Sequence, residues 1–226
     1  MISMATYAAS RQLHDVAARL HPAHTALVVV DMQNDFCAPG GYIAKLGMDV
    51  SIYPSVLGPI RDLLSAARAT GVRVVWLTAC YENDLISPAM LVKKQAMGVT
   101  SVCCARGSWG ADLFELERAA SEPLIEKHNF SGFSNPAFGE LLAEAAVESL
   151  VFCGVQTNVC VEATLRDAHT RGFYVALAGD AVASHTKPLH EATIANVRFL
   201  IGDVVTSGEL AEIWKAARSD EFSQRS

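Results

Sequence analysis

Three residues of this 226-residue chain could together carry out nucleophilic chemistry: a carboxylate, an ammonium and a thiol, each close behind a short apolar run. Asp31 ends "TALVVVD", Lys127 ends "PLIEK", and Cys160 follows "SLVFCGV" through "QTNV". Taken singly, each has an ordinary role. Asp31 reads as an N-cap or turn residue, Lys127 as a solvated strand end and Cys160 as a small core hydrophobe. Their combination points elsewhere, because a carboxylate directly after three valines is costly to bury without a partner. A cysteine in the first turn of a helix, behind Thr157 or Asn158 as N-cap, sits at the positive end of the helix dipole, which favours thiolate. A Lys127 ammonium nearby would also lower the thiol pKa, and Asp31 could accept its proton, so no histidine is needed. Cys153, inside its apolar run, is expected to be inert.

For these residues to meet, the runs that precede them must lie side by side. Short apolar stretches ("TALVVVD", "VRVVWLTA", "PLIEKH", "SLVFCGV", "FYVALAGDAV", "DVVTS") alternate with segments of helical period. That alternation predicts an α/β domain with a mostly parallel central sheet in three α/β/α layers, Rossmann-like in architecture. In the helix expected at 159 to 171, Val161, Leu165 and Ala168 share a face and Gly172 supplies the stop. Ligands of parallel sheets bind beyond the carboxyl ends of the strands, where Asp31, Lys127 and Cys160 would converge. The first strand leads into "DMQNDFCAPGG", with no G-x-G-x-x-G for a dinucleotide.

Length and a 51% hydrophobic content fit one domain over 1–226, with an N-terminal arm at 1–24 and a polar, frayed tail at 218–226. In the arm, Leu13, Val16, Ala17 and Leu20 suggest an amphipathic helix over residues 7 to 20, packed on the body or on a neighbouring subunit. With 24 acidic against 18 basic residues the net charge is −6, which gives no electrostatic footprint for nucleic acid or an anionic membrane. The partner expected is a small molecule, with the chain itself a homo-oligomer. Six cysteines without a C-x-x-C pair, no secretory leader and no apolar run of about 20 residues indicate a reduced cytoplasmic protein.

The set "VVVDMQNDFC", "IEKHNFSGF" and "GVQTNVCVEATLRDA" resembles the isochorismatase-like cysteine hydrolases, in family order from about residue 25 to 210. The resemblance implies an isochorismatase-like hydrolase fold and an Asp31–Lys127–Cys160 triad. It also implies a cis peptide before Gln156 and an oxyanion hole formed by the backbone amides of Gln156 and Cys160. Asp31 would take the proton of Cys160, the thiolate would attack an amide or ureido carbonyl, and Asp31 would protonate the departing nitrogen.

Within that family the motifs "DMQNDFCAPGGY", "RGSWGADL", "FSGFSNPAFGELL" and "TNVCVEATLRDA" are most similar to the ureidoacrylate amidohydrolases. By that likeness Phe36, Tyr42, Tyr81, Phe130 and Phe133 would line the pocket. One departure is Ala79, which stands where a polar amide would read a ureido group. Biuret, N-carbamoyl amino acids, maleamate-like amides and aryl or indolyl amides therefore stay open as substrates. Nicotinamidases of the family carry metal-binding histidines after the second central strand; "VVWLTACYENDLISP" has none, so neither metal nor cofactor is expected. The segment "SPAMLVKKQAMGVTSVCCARGSWG" is expected to cap the site, with Lys93, Lys94 or Arg106 available for a substrate carboxylate. Cys103 and Cys104 are assigned no chemistry. A non-catalytic binding module or a thiol sensor is the rival reading, which needs neither Asp31 nor Lys127.

Overall fold

The structure is a computed structural model and describes residues 8, 9 and 11–224. The six apolar runs form β1 (Thr25–Val30), β2 (Arg73–Ala79), β3 (Leu124–Lys127), β4 (Ser149–Val155), β5 (Tyr174–Ala183) and β6 (Asp203–Val205). They make one sheet of order β3-β2-β1-β4-β5-β6, with every pairing parallel. All residues of β1 and β4 are buried, as central strands covered on both faces must be.

Longer helices follow the strands: α1 (Leu57–Thr70), α2 (Pro88–Ala96), α3 (Pro136–Glu144), α4 (Glu162–Thr170), α5 (Lys187–Asn196) and α6 (Ser207–Gln224). On one face of the sheet α1 buries Leu57, Ile60, Leu63, Leu64 and Ala67, spaced by three and four residues, together with Leu210 and Trp214 of α6. On the other, α3 buries Phe138 and Leu142, and α4 buries Leu165 and Ala168. Gly172, at φ +87°, ends α4 in the left-handed region as its position suggested. The three layers and the parallel sheet match the expectation.

Other segments differ from it. The arm expected as a helix over 7–20 is helical only at Val16–Arg19, where Asp15 accepts from the Ala18 N–H. Upstream, the Ala8 and Ala9 amides donate to Arg171 and Gly172 carbonyls, Arg11 pairs with Glu148, and the Leu13 amide donates to the Tyr174 hydroxyl. Backbone donors engaged along the start of β5 cannot also close helical turns. The arm therefore packs on the body of its own chain; Tyr7 lies outside the described residues. The C-terminal segment expected to fray from 218 is part of α6 as far as Gln224. No described helix is long and apolar enough to cross a membrane.

The order of connection reverses between β1 and β4, which are hydrogen-bonded neighbours. A crevice beyond the carboxyl ends at such a switch point is the usual ligand site of this architecture. Gly154 allows β4 to approach β1 there: it sits at φ +107°, and a Cβ on it would lie 2.1 Å from the Val30 carbonyl oxygen.

Candidate active site

β1 keeps its ladder one residue beyond Val30, with the Asp31 amide donating to the Leu77 carbonyl at 2.9 Å. At Asp31 the chain turns through φ +49°, a conformation that aspartate tolerates better than most residues. Lys127 ends β3, two strands away. Its Nζ lies 2.8 Å from Asp31 Oδ2, and the pair is 0% and 1% exposed. The ammonium also donates to Tyr81 Oη and to the Asn129 carbonyl, both at 3.1 Å. Asp31 Oδ1 is buried with no hydrogen-bond partner.

β4 delivers the thiol. After a cis Val155–Gln156 peptide, the chain makes one wide π-helical turn, Thr157–Val161, in which the Gln156 carbonyl accepts from the Val161 amide. π-turns recur at functional sites because they displace a side chain from the α-helical register. Cys160, 3% exposed, lies in that turn with Sγ 3.5 Å from Tyr81 Oη. The turn is pinned from behind: Thr164 Oγ1 donates to the Cys160 carbonyl and accepts from the Gly132 amide. Neither Thr157 nor Asn158 caps the helix as anticipated. Thr157 Oγ1 pairs with His190 Nδ1, and Asn158 Oδ1 accepts from the Ser184 hydroxyl.

Electrostatically the site is a buried ion pair beside a thiol. Burial pushes Cys160 up to about 12, against the pull of Lys127, and the Asp31 charge adds to the rise. Desolvation thus outweighs the pull of the helix end and of Lys127, so the resting form at Cys160 is the neutral thiol and not the thiolate expected from its place at the helix mouth. Burial likewise raises the Asp31 carboxyl above the ordinary range, with Lys127 and Cys160 opposing. Lys127 loses by burial but gains more from Asp31 and Cys160, so it is held in its charged form. A basic carboxylate with one open oxygen, next to a neutral thiol, suits proton transfer at the moment of attack.

Three of the five aromatic candidates meet at this site. The Phe36 and Phe130 rings stand edge-on to Tyr81, with centroids 6.3 and 6.5 Å away. Phe36 and Tyr81 are buried, while Phe130 is 42% exposed. Phe133 belongs elsewhere: its ring packs on Phe138 and Phe173 with Arg171 above it, because the short 3-10 turn Gly132–Ser134 directs it under α3. Tyr42 is half-buried, with its amide held by Asp35, and makes no ring contact with Tyr81. Of the cations expected on the cap, Arg106 is engaged with Glu126 and Lys94 with Asn83, while Lys93 is exposed. A cleft of about 710 Å³ lies at the opposite end of the sheet, between the N-terminal arm and the starts of β5 and β6.

The isochorismatase domain model matches residues 25–209. The chain belongs to this family. Its relatives include the ureidoacrylate amidohydrolase RutB of Serratia proteamaculans, 35% identical over 73% of this chain and 70% of that protein. The RutB of Acinetobacter baylyi is 32% identical over 82% of each. Among solved structures, a cysteine hydrolase from Pseudomonas syringae pv. phaseolicola superposes with a TM-score of 0.75 at 26% identity, covering 87% of this chain and 94% of that one. The N-carbamoylsarcosine amidase of Thermoplasma acidophilum gives 0.65 at 25% identity, over 81% and 96%.

Two features of this family member were missed in the sequence. Gln33 donates from Nε2 to the Ala79 and Ala111 carbonyls and accepts from the Ala79 amide at 2.7 Å, so the backbone at Ala79 is occupied as well as its side chain apolar. Tyr81, read only as a pocket wall, touches both Lys127 and the thiol. Its position two residues beyond β2, level with the end of β3, was the available signal. All six cysteines are free and buried, with the Cys103 and Cys104 sulfurs 3.7 Å apart. Among the described residues, Asp35, Cys103 and Cys104 form one group with metal-ligand spacing, and Cys80, Glu126 and His128 another. Asp35 already accepts from the Tyr42 and Cys104 amides, Glu126 is paired with Arg106, and neither group includes Asp31, Lys127 or Cys160.

Proposed function

We propose that the protein is a cysteine-dependent amidohydrolase that cleaves a small amide or N-carbamoyl substrate of the ureidoacrylate kind through a thioacyl-enzyme. The observation that carries this reading is the fully buried Asp31–Lys127 pair beside Cys160, with Asp31 Oδ1 unpartnered. Asp31 Oδ1 takes the proton as the Cys160 S–H bond breaks, and sulfur bonds to the substrate carbonyl carbon. The Gln156 and Cys160 amides hold the oxyanion. When it collapses, the C–N bond breaks and Asp31 returns the proton to the leaving nitrogen. Asp31 then removes a proton from water, whose oxygen attacks the thioester carbonyl; the C–S bond breaks and Asp31 passes that proton to Cys160 Sγ, which restores the thiol. Lys127 keeps its charge throughout and lowers the cost of each buried anion.

Tyr81, with Phe36 and Phe130 set edge-on to it, gives the substrate an aromatic surround. With position 79 closed by Gln33, recognition of a ureido group rests on other residues. An ammonia-release screen of ureidoacrylate, N-carbamoyl amino acids, biuret and primary amides, paired with mass spectrometry of Cys160, tests the assignment. A carbamoyl or acyl adduct on Cys160 is the expected result; turnover without any Cys160 adduct in rapid-quench samples would refute it.

We further propose that copies of the chain associate through the segment following α5, where Phe199 and Leu200 are 85% and 76% exposed. Side chains this apolar and this exposed together favour burial in an interface. Sedimentation should show an oligomer that the paired change Phe199→Asp and Leu200→Asp dissociates.

A further inference from the structure

The network around Cys160 leaves one question of hydrogen-bond supply. A lysine ammonium has three N–H donors. Those of Lys127 go to Asp31 Oδ2 at 2.8 Å, Tyr81 Oη at 3.1 Å and the Asn129 carbonyl at 3.1 Å. Whatever the ammonium gives to sulfur, with which it also interacts, is shared with these three oxygens. Asp31, the other charged neighbour, can only accept when ionised. A thiolate forming at Cys160 therefore gains from a donor of its own, and Tyr81 Oη is 3.5 Å from Sγ.

Tyr81 is equipped for the task. Its hydroxyl accepts from Lys127, so its own single proton has two destinations: the Asn129 carbonyl at 3.4 Å, which already receives a Lys127 N–H, or the sulfur. Its place is fixed by the amide, which donates to the Cys103 carbonyl at 3.0 Å, and by the edge contacts with Phe36 and Phe130.

We propose that Tyr81 is a fourth catalytic residue, whose hydroxyl donates a hydrogen bond to the Cys160 thiolate and so adds to the influence of a Lys127 ammonium already divided among three oxygens. As the Cys160 proton moves to Asp31 Oδ1, the Tyr81 O–H swings from the Asn129 carbonyl to the sulfur, and Tyr81 keeps its own proton throughout. Once sulfur is part of a thioester it is a poor acceptor, and the hydroxyl swings back. Burial, with the anions of Cys160 and Asp31, holds the Tyr81 hydroxyl well above the ordinary phenol range, so it remains a donor. This role rests on Cys160 being the nucleophile.

The test uses the full chain and iodoacetamide, with Cys160 alkylation followed by mass spectrometry at pH 8. Tyr81→Phe keeps the ring and removes the hydroxyl. It should slow Cys160 alkylation about ten- to hundredfold, the loss of one hydrogen bond to a charged acceptor. Replacing Tyr81 by 3-fluorotyrosine, a more acidic donor of nearly the same shape, should raise the rate above wild type, and this variant decides the matter if Tyr81→Phe fails to fold. Equal rates in wild type and both variants would overturn the role of Tyr81 alone. Wild-type Cys160 reacting no faster than the other five cysteines would overturn the nucleophile and the Tyr81 role together.

Discussion

At the residue scale, function depends on how burial and pairing set three protonation states. Cys160→Ala and Cys160→Ser should each lower kcat by at least about 10³-fold without loss of fold, since a hydroxyl is a poor nucleophile beside a carboxylate base. Cys153→Ser should stay active, because Cys153 is fully buried in β4 and faces the Val28 carbonyl, away from the ion pair. Asp31→Asn should abolish acylation, since an amide cannot take the thiol proton. Because the Cys160 thiol is pushed up to about 12, it is neutral at pH 7 and its thiolate fraction grows as pH rises. Iodoacetamide labelling of free enzyme should therefore climb steadily from pH 7 to 10; a plateau below pH 8 would contradict a raised thiol. The convergence of Asp31, Lys127 and Cys160 was legible in the sequence because an acid, an amine and a thiol behind apolar runs have no common structural reason to occur together. The direction of the thiol shift was not, since it depends on surrounding atoms that only the packed fold supplies.

At the element scale, the site depends on how closely β1 and β4 approach. Gly154→Ala would place a Cβ against the Val30 carbonyl at a φ that L-residues rarely adopt. It should destabilise the protein by about 3 kcal/mol or more, read as a drop in the urea midpoint, and reduce activity even where the fold survives. α6 was not foreseen, because "GELAEIWKAARSDE" presents a narrow stripe in a polar sequence. The residues that fix it are Leu210 and Trp214, one turn apart, both fully buried against α1, with the Trp214 indole donating to the Leu20 carbonyl at 3.1 Å. Trp214→Ala should cost about 3–5 kcal/mol, measurable by chemical denaturation. Phe133 misled for a related reason: an aromatic in a motif near the site can turn either way, and the turn at Gly132–Ser134 sends it to the layer under α3.

At the scale of the whole molecule, stability and chemistry are set at separate places. Glu122, far along the chain from β2, accepts from the Trp76 indole at 2.8 Å, from the Ala119 amide at 3.0 Å and from Arg68 at 2.7 Å. Burial alone would raise its pKa, but Arg68, Trp76 and the Ala119 amide together bring it below the ordinary glutamate value. A depressed folded value means the stability from Glu122 is present above the unfolded pKa and lost as pH falls through the folded one. Glu122→Gln should lower stability by about 1–2 kcal/mol at pH 7, discounted for the exposure of Arg68, and flatten the loss on acidification below about pH 4.5. A chelator should leave turnover unchanged, because proton transfer and attack are assigned to Asp31 and Cys160. The layered fold was legible from the alternation of apolar runs and helical periods. The use of Tyr81 and Gln33 was not, as both roles arise from strands and loops brought together across the sheet. The most direct test of the central claim is rapid-quench mass spectrometry of wild type and Asp31→Asn during turnover of ureidoacrylate. A covalent adduct confined to Cys160 in wild type and absent in Asp31→Asn is predicted; product release with no adduct on Cys160, or an adduct of equal yield in Asp31→Asn, would contradict it.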